Sequence, residues 1–293
     1  MRNSAIILIL GLLSVLFFSA CEQENALTFN DEFKIEFNDG KTITGKDILF
    51  YDRSTHLIYL KRDLKLNPDI TGFNVSVAGD TIYHGIIFSC YLSSRPPSYF
   101  IGDCFQYGND ILEIGYYGES DDLRDDPRIT DAFENSNLIR DGITCEIDKI
   151  EIQSFENHSK ATCTITIQNN DNINYYILDP KKMGDLDFNY FTGGLTLQNM
   201  DTKLTHPLRW SVQSGTWSTV NMDDMSLLKK GTKVTYTFQS SDYYKMEPGK
   251  YSAKFRFCGT QHCTPNINLN QKNGRVWVGQ ILSEINNIVI ENK

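Results

Sequence analysis

Positive charge is scarce in this chain of 293 residues. Lysine and arginine total 28 against 37 aspartates and glutamates, which gives a net charge of −9. An acidic surface repels phosphate backbones, and the sequence has no polybasic stretch that would attract anionic lipid headgroups. The composition therefore argues against a nucleic acid partner. Attachment to a membrane would need a feature other than clustered positive charge.

Signatures of catalysis are absent as well. The sequence contains no nucleophile elbow, P-loop, dinucleotide-binding fingerprint or HExxH helix. We therefore predict no catalytic residue, no cofactor and no metal, and expect that the protein is not an enzyme. A pair of carboxylates that cleaves glycosides stays open as an alternative, because one sequence cannot show the distance between two carboxylates.

No apolar run reaches the roughly 20 residues that a helix needs to span a bilayer. The longest run, residues 5–18, follows Arg2 and is followed at once by Ser19, Ala20 and Cys21. A positive residue, a short apolar core and small residues in this order are typical of an export signal.

The segment Phe18-Ser19-Ala20-Cys21 resembles the lipobox of bacterial lipoproteins, although Phe18 stands where that family usually has leucine. The resemblance implies that residues 1–20 are removed as a signal peptide and that Cys21 is acylated by chains such as palmitate. Several acyl chains anchor a protein stably in a membrane. The alternative is an ordinary export signal that leaves Cys21 unmodified.

The residues that follow Cys21 set the expected location. Residues 21–27 are predicted to form a short acidic tether to the outer membrane of the bacterial cell envelope. Glu22 and Glu24 loosely resemble a signal for export to the cell surface. Both the surface and the periplasmic face therefore stay open.

An even number of cysteines follows the tether, which in an exported protein indicates three disulfides. We favour bonds between neighbours in the sequence, Cys90–Cys104, Cys145–Cys163 and Cys258–Cys263, and free cysteines are an alternative. A metal site at residues 258–263 is the disfavoured alternative, because no second ligand cluster with zinc spacing appears. The six cysteines are Cys90, Cys104, Cys145, Cys163, Cys258 and Cys263.

Alternating apolar and polar residues predict a mainly β protein with two domains. Residues 28–142 are predicted to form a β-rich domain with one short helix, which begins at Asp126 and Pro127 and continues to about residue 139. Residues 143–293 contain about eight short strand patterns, and we expect an immunoglobulin-like β-sandwich there.

The sandwich prediction depends most on Pro248-Gly249-Lys250-Tyr251. This segment resembles the tyrosine corner of immunoglobulin-like and fibronectin-type domains. The resemblance implies that the Tyr251 hydroxyl bonds to nearby backbone. Ala253 occupies the position of a cysteine in antibody domains, so their disulfide between sheets is not expected.

Two groups of side chains are candidates for binding. Trp210, Trp217, Tyr243 and Tyr244, with Trp277, are a candidate platform for sugar rings, and core packing is the alternative. The acidic residues 119–126 do not follow the spacing of an EF-hand, so we favour a solvated loop before a helix over a calcium site.

We therefore expect a non-enzymatic, lipid-anchored envelope protein that binds or adheres to a glycan or a protein. The first alternative is an envelope assembly or scaffolding subunit with a protein partner. The second is a hydrolase whose site the sequence does not reveal.

Overall fold

The computed structural model describes residues 32–66, 69–89, 95–96, 98–102, 107–118, 120–206, 220–259 and 267–291. Within these ranges the chain is mainly β, with 21 strands and three α-helices, as the sequence predicts. No helix in the described ranges is long and apolar enough to cross a bilayer. Several predictions lie outside these residues: the signal peptide, the tether, Cys21, Cys90, Cys104, Cys263, Trp210 and Trp217.

The N-terminal region, residues 32–142, contains two sheets around one apolar core. In the first strand Phe33, Ile35 and Phe37 are buried while Lys34 and Glu36 face outward, as alternation along a strand requires. The strands are β1 (Phe33–Phe37), β2 (Thr42–Thr44), β3 (Ile48–Asp52), β4 (Leu57–Leu60), β5 (Gly72–Val77), β6 (Asp80–Phe88), β7 (Tyr99–Gly102), β8 (Ile111–Glu113), β9 (Gly115–Tyr116) and β10 (Ile139–Arg140). Their orders are β2-β1-β5-β6-β7-β9 and β10-β3-β4-β8.

The predicted helix is present as α1 (Pro127–Asn135). The Asp126 side chain accepts a hydrogen bond from the Arg128 amide, and Pro127 occupies the first turn. The helix ends at Asn135, short of residue 139, and Asn137 adopts the left-handed conformation with φ 56°. Ile139 and Arg140 instead form β10, which pairs in parallel with β3.

The C-terminal region, residues 143–291, contains three sheets and two short helices. Its helices are α2 (Pro180–Met183) and α3 (Asp185–Thr192). The strands are β11 (Ile143–Ser154), β12 (His158–Asn169), β13 (Tyr175–Leu178), β14 (Leu195–Asn199), β15 (Thr205–His206), β16 (Met225–Leu228), β17 (Lys233–Tyr244), β18 (Gly249–Cys258), β19 (Asn270–Gln271), β20 (Gly274–Val276) and β21 (Gln280–Ile290). The sheet orders are β11-β12-β17, β16-β13-β20-β19 and β15-β14-β18-β21.

Tyr251 makes the hydrogen bond that a tyrosine corner requires. The side chain is buried, and its hydroxyl donates to the Glu247 carbonyl at 2.8 Å. This bond ties the Pro248-Gly249 turn to the beginning of β18. The immunoglobulin-like topology of the whole region remains a prediction.

Three apolar clusters organise the packing. One large cluster draws on residues 33–139 and the other on residues 143–290. A third, smaller cluster joins Phe50, Leu57, Tyr59 and Ile111 to Val278. The two regions therefore share an apolar junction, while the domain boundary at residue 142 remains a prediction.

The predicted disulfide between Cys145 and Cys163 is wrong, because both cysteines are buried free thiols. In the ladder of β11 and β12, Cys145 faces Ile167 and Cys163 faces Ile150. The two cysteines are thus about four residues apart along the ladder, roughly 13 Å at the rise of a strand. A disulfide requires Cα atoms within about 7 Å. Cys258 is also a free thiol, and Cys263, its expected partner, lies outside the described residues.

Candidate ligand-binding groove

Two aromatic rings flank the turn between β11 and β12, that of the exposed Phe155 and that of the half-buried His158. The Phe155 amide donates to the His158 carbonyl at 2.8 Å, which closes the hairpin around residues 156–157. The rings of Phe155 and His158 stack with their centroids 4.6 Å apart and their planes 9° from parallel. The turn therefore brings the two rings into direct contact.

Tyr244 adds a third ring beside this pair. The register of β12 and β17 places His158 directly opposite Tyr244. Tyr244 is 62% exposed and Phe155 is 42% exposed. We call Phe155, His158 and Tyr244 the aromatic edge.

Tyr243 does not belong to this surface, so its assignment to a binding platform is wrong. Successive side chains of a strand point to opposite faces. Because Tyr244 faces outward, Tyr243 points into the core, where its hydroxyl donates to the Leu195 carbonyl at 2.6 Å. Trp277 is buried as well and stacks on Phe257 at 5.5 Å.

A groove of about 440 Å³ begins at Phe155. It lies between the end of β11 and the end of β21, and the segment that links β17 to β18 completes it. Its volume is within the range of about 300–1,000 Å³ that is typical of small-molecule sites. The lining residues are Ile152, Ser154, Phe155, Lys245, Met246, Glu247, Pro248, Val289, Ile290 and Glu291.

Buried hydrogen bonds fix the walls of the groove. The Met246 amide donates to the Ser159 hydroxyl at 3.0 Å, which ties the β17–β18 segment to the hairpin. The bond from Tyr251 to the Glu247 carbonyl holds the next residues of the same wall. The tyrosine corner therefore positions the groove as well as the start of a strand.

The charges around the groove are mixed. Lys245, Glu247 and Glu291 are all exposed, and the Lys160 ammonium lies 5.9 Å from the centre of the Phe155 ring. The groove therefore combines charged side chains with the apolar side chains of Phe155, Met246 and Val289.

A second cluster brings His56 beside the acidic loop. Ligand atoms of His56, Asp122 and Asp125 all lie within 4.8 Å of one another. Sequence reasoning missed His56 here, because it is more than 60 residues from Asp122 and carries no local signal of the contact.

Arg124 already occupies one carboxylate of that cluster. Its guanidinium contacts both oxygens of Asp122, at 3.0 Å from Nε and 2.6 Å from the nearer terminal nitrogen. Burial on its own would raise the pKa of Asp122. The hydrogen bonds from Arg124 outweigh burial and hold this pKa below its usual value. Only His56 and Asp125 then remain as ligands, fewer than ordinary zinc sites supply. The carboxylates of Asp122 and Asp126 also cap the helical turns that follow them, and the choice of a solvated loop over a calcium site stays a prediction.

Comparison with known proteins gives no match: no family profile, no curated protein and no solved structure is similar to this chain. The groove and the aromatic edge are therefore the features of the chain that bear on its function.

Proposed function

We propose that this chain is a non-enzymatic, lipid-anchored envelope module that binds a glycan at the aromatic edge and the groove. The observation that carries the proposal is the parallel stack of Phe155 on His158, with Phe155 lining a groove of about 440 Å³. Rigid rings offer apolar contact at a low cost in conformational entropy.

The chemistry of the groove fits a sugar. The C–H faces of a sugar ring are apolar and pack on aromatic rings, while its hydroxyls need hydrogen-bond partners. Phe155 and Tyr244 provide the first kind of contact. Ser154, Glu247 and Lys245 provide the second.

A lipid anchor on Cys21 would determine where such a module is located in the cell. Acylation of Cys21 would hold the protein on the outer membrane, where the groove meets glycans of the envelope or of the surroundings. The acidic net charge favours neutral or cationic ligands over polyanions.

Hydrolysis of the glycan is the second candidate, since Glu247 and Glu291 line the same groove. Both side chains belong to exposed residues, whereas the general acid of a glycosidase lies in an apolar pocket. Release of shorter oligosaccharides by the wild type but not by Glu247→Gln would favour this candidate over binding alone.

A panel of neutral and acidic oligosaccharides tests the proposal. The full chain, purified in detergent, is expected to retain at least one of them, and Tyr244→Ala is expected to weaken that binding about 3- to 10-fold. Leu49→Ala is the matched control, since it removes an exposed apolar side chain in the other region. If no oligosaccharide is retained and one envelope protein is cross-linked instead, the scaffolding alternative replaces glycan binding.

A further inference from the structure

A buried carboxylate lies where the two regions meet. Asp52, the last residue of β3, is 1% exposed. Its Oδ1 accepts hydrogen bonds from the Ser54 amide at 2.9 Å and from the Ser54 hydroxyl at 2.7 Å. Within the described part of the chain, Asp52 forms no ion pair.

Gly142 packs directly on this carboxylate. It adopts a left-handed conformation with φ 60°, and a Cβ atom there would lie 2.4 Å from Asp52 Oδ1. The Gly142 carbonyl accepts a bond from the Asn170 amide at 3.0 Å. Gly142 lies between β10 and β11, so Asp52 contacts the segment that connects the two regions.

The nearby arginine side chains contact groups other than Asp52. Arg140 lies opposite Asp52 in the β10–β3 register, but its guanidinium contacts Asn172 at 2.5 Å and Asp171 at 3.6 Å. Arg275 lies over the Tyr59 ring, 4.3 Å from its centre. The titratable and charged groups around Asp52 are Asp171, Tyr51, Tyr59, Tyr175 and Arg140, and Arg275 contacts the Tyr59 ring.

This environment disfavours a negative charge on Asp52. Burial raises the pKa of Asp52 to about 6, hydrogen bonds from Ser54 oppose the rise, and the charge of Asp171 adds to it. Undocking of Gly142 would expose the carboxyl to water, and its pKa would fall toward the ordinary value of 3.8.

We infer that the contact between Asp52 and Gly142 is a proton-operated latch that docks the connector of the two regions on β3 and closes most firmly when Asp52 is protonated. An ionised carboxylate without a paired cation attracts water and opposes the close approach of the Gly142 peptide. Protonation from solvent removes that penalty and leaves the Ser54 bonds in place.

The sign of the pH effect follows from linkage. The closed junction binds the proton more tightly than the open one, so closure becomes more favourable as the pH falls through about 6 toward 3.8. Between pH 7.5 and pH 5.0 the closing equilibrium is expected to rise about tenfold.

Hydrogen exchange of the full chain tests the latch. The amides of Tyr51 and Arg53 report on the latch, because they donate to the carbonyls of Leu138 and Arg140, just before Gly142, at 2.7 and 2.9 Å. After correction for intrinsic exchange rates, their protection in the wild type is expected to be about tenfold higher at pH 5.0 than at pH 7.5. In Asp52→Asn the protection is expected to be high and the same at both pH values.

Asp201→Asn, which removes an exposed carboxylate, is the matched control and is expected to keep the tenfold change. Equal or lower protection of the wild type at pH 5.0, or a tenfold change that survives in Asp52→Asn, would overturn the latch. If Asp52→Asn does not fold, carboxyl NMR of the wild type decides. A midpoint for Asp52 near 6 supports the latch, and one near 4 overturns it.

Discussion

Phe155 and His158 stack face to face, with ring centroids 4.6 Å apart, across the tight turn that joins β11 and β12. The stack projects from the end of a hairpin whose strands each have 12 residues, so a long ladder fixes its position. For the proposed ligand this stack would be pre-organised, because the two rings already pack on each other.

Loss of the tyrosine-corner bond is expected to weaken both the fold and the groove. Tyr251→Phe keeps the buried ring and removes the hydroxyl that bonds to Glu247. The free energy of unfolding is expected to fall by about 1 kcal/mol, as measured by urea denaturation. Tyr117→Phe, at an exposed tyrosine, is the control. An unchanged unfolding midpoint in Tyr251→Phe would show that the bond carries no stability.

Gly142→Ala is expected to destabilise the chain by about 2 kcal/mol or more, because a left-handed backbone and a clash with Asp52 act together. Gly40→Ala provides the comparison, since Gly40 has φ 84° but nothing within 4 Å of a new Cβ atom. The difference between the two variants in urea denaturation isolates the contact at the junction. Equal losses would mean that backbone strain alone explains the effect.

His56 and Asp52 are expected to change the stability of the protein in opposite directions as the pH falls. Burial lowers the pKa of His56, and the positive charge of Arg124 lowers it further. The negative charges of Asp125 and Asp122 oppose this shift but do not reverse it. Its contribution is therefore fully present above the ordinary value of 6.5 and is lost as the pH falls below it.

The substitution His56→Asn should remove this loss of stability at low pH. Asparagine tolerates the left-handed backbone at this position. Thermal unfolding at pH 7.5 and pH 5.5 measures the effect. A variant that loses as much stability on acidification as the wild type would contradict it.

Cys145 and Cys163 are expected to be unreactive in the folded protein. Burial raises the pKa of each thiol to about 12, so little thiolate is present at neutral pH. Iodoacetamide should label neither cysteine in native buffer and both after unfolding without reductant, as peptide mass spectrometry would show. A peptide that joins Cys145 to Cys163 would contradict the free thiols.

Local patterns predicted local structure well. Asp126 and Pro127 marked the first turn of α1, and the Pro-Gly turn before Tyr251 predicted the hydroxyl bond that the structure contains. These signals succeed because the interacting groups lie within a few residues of one another.

The pairing of strands that are far apart in the chain could not be predicted from the sequence. Whether Tyr243 or Tyr244 faces solvent depends on the sheet that β17 joins, and the separation of Cys145 from Cys163 depends on the ladder of two 12-residue strands. Phe155 and His158 had a weak signal, since two rings flank a short polar turn between alternating segments. Their stacking still required the turn geometry.

The central claim is that the aromatic edge binds a glycan, and calorimetric titration of Phe155→Ala with the tightest oligosaccharide of the panel tests it most directly. We expect the dissociation constant to rise about 3- to 10-fold relative to both the wild type and Leu49→Ala, with an unchanged circular dichroism spectrum. A folded Phe155→Ala variant that binds the oligosaccharide as tightly as the wild type would contradict the claim.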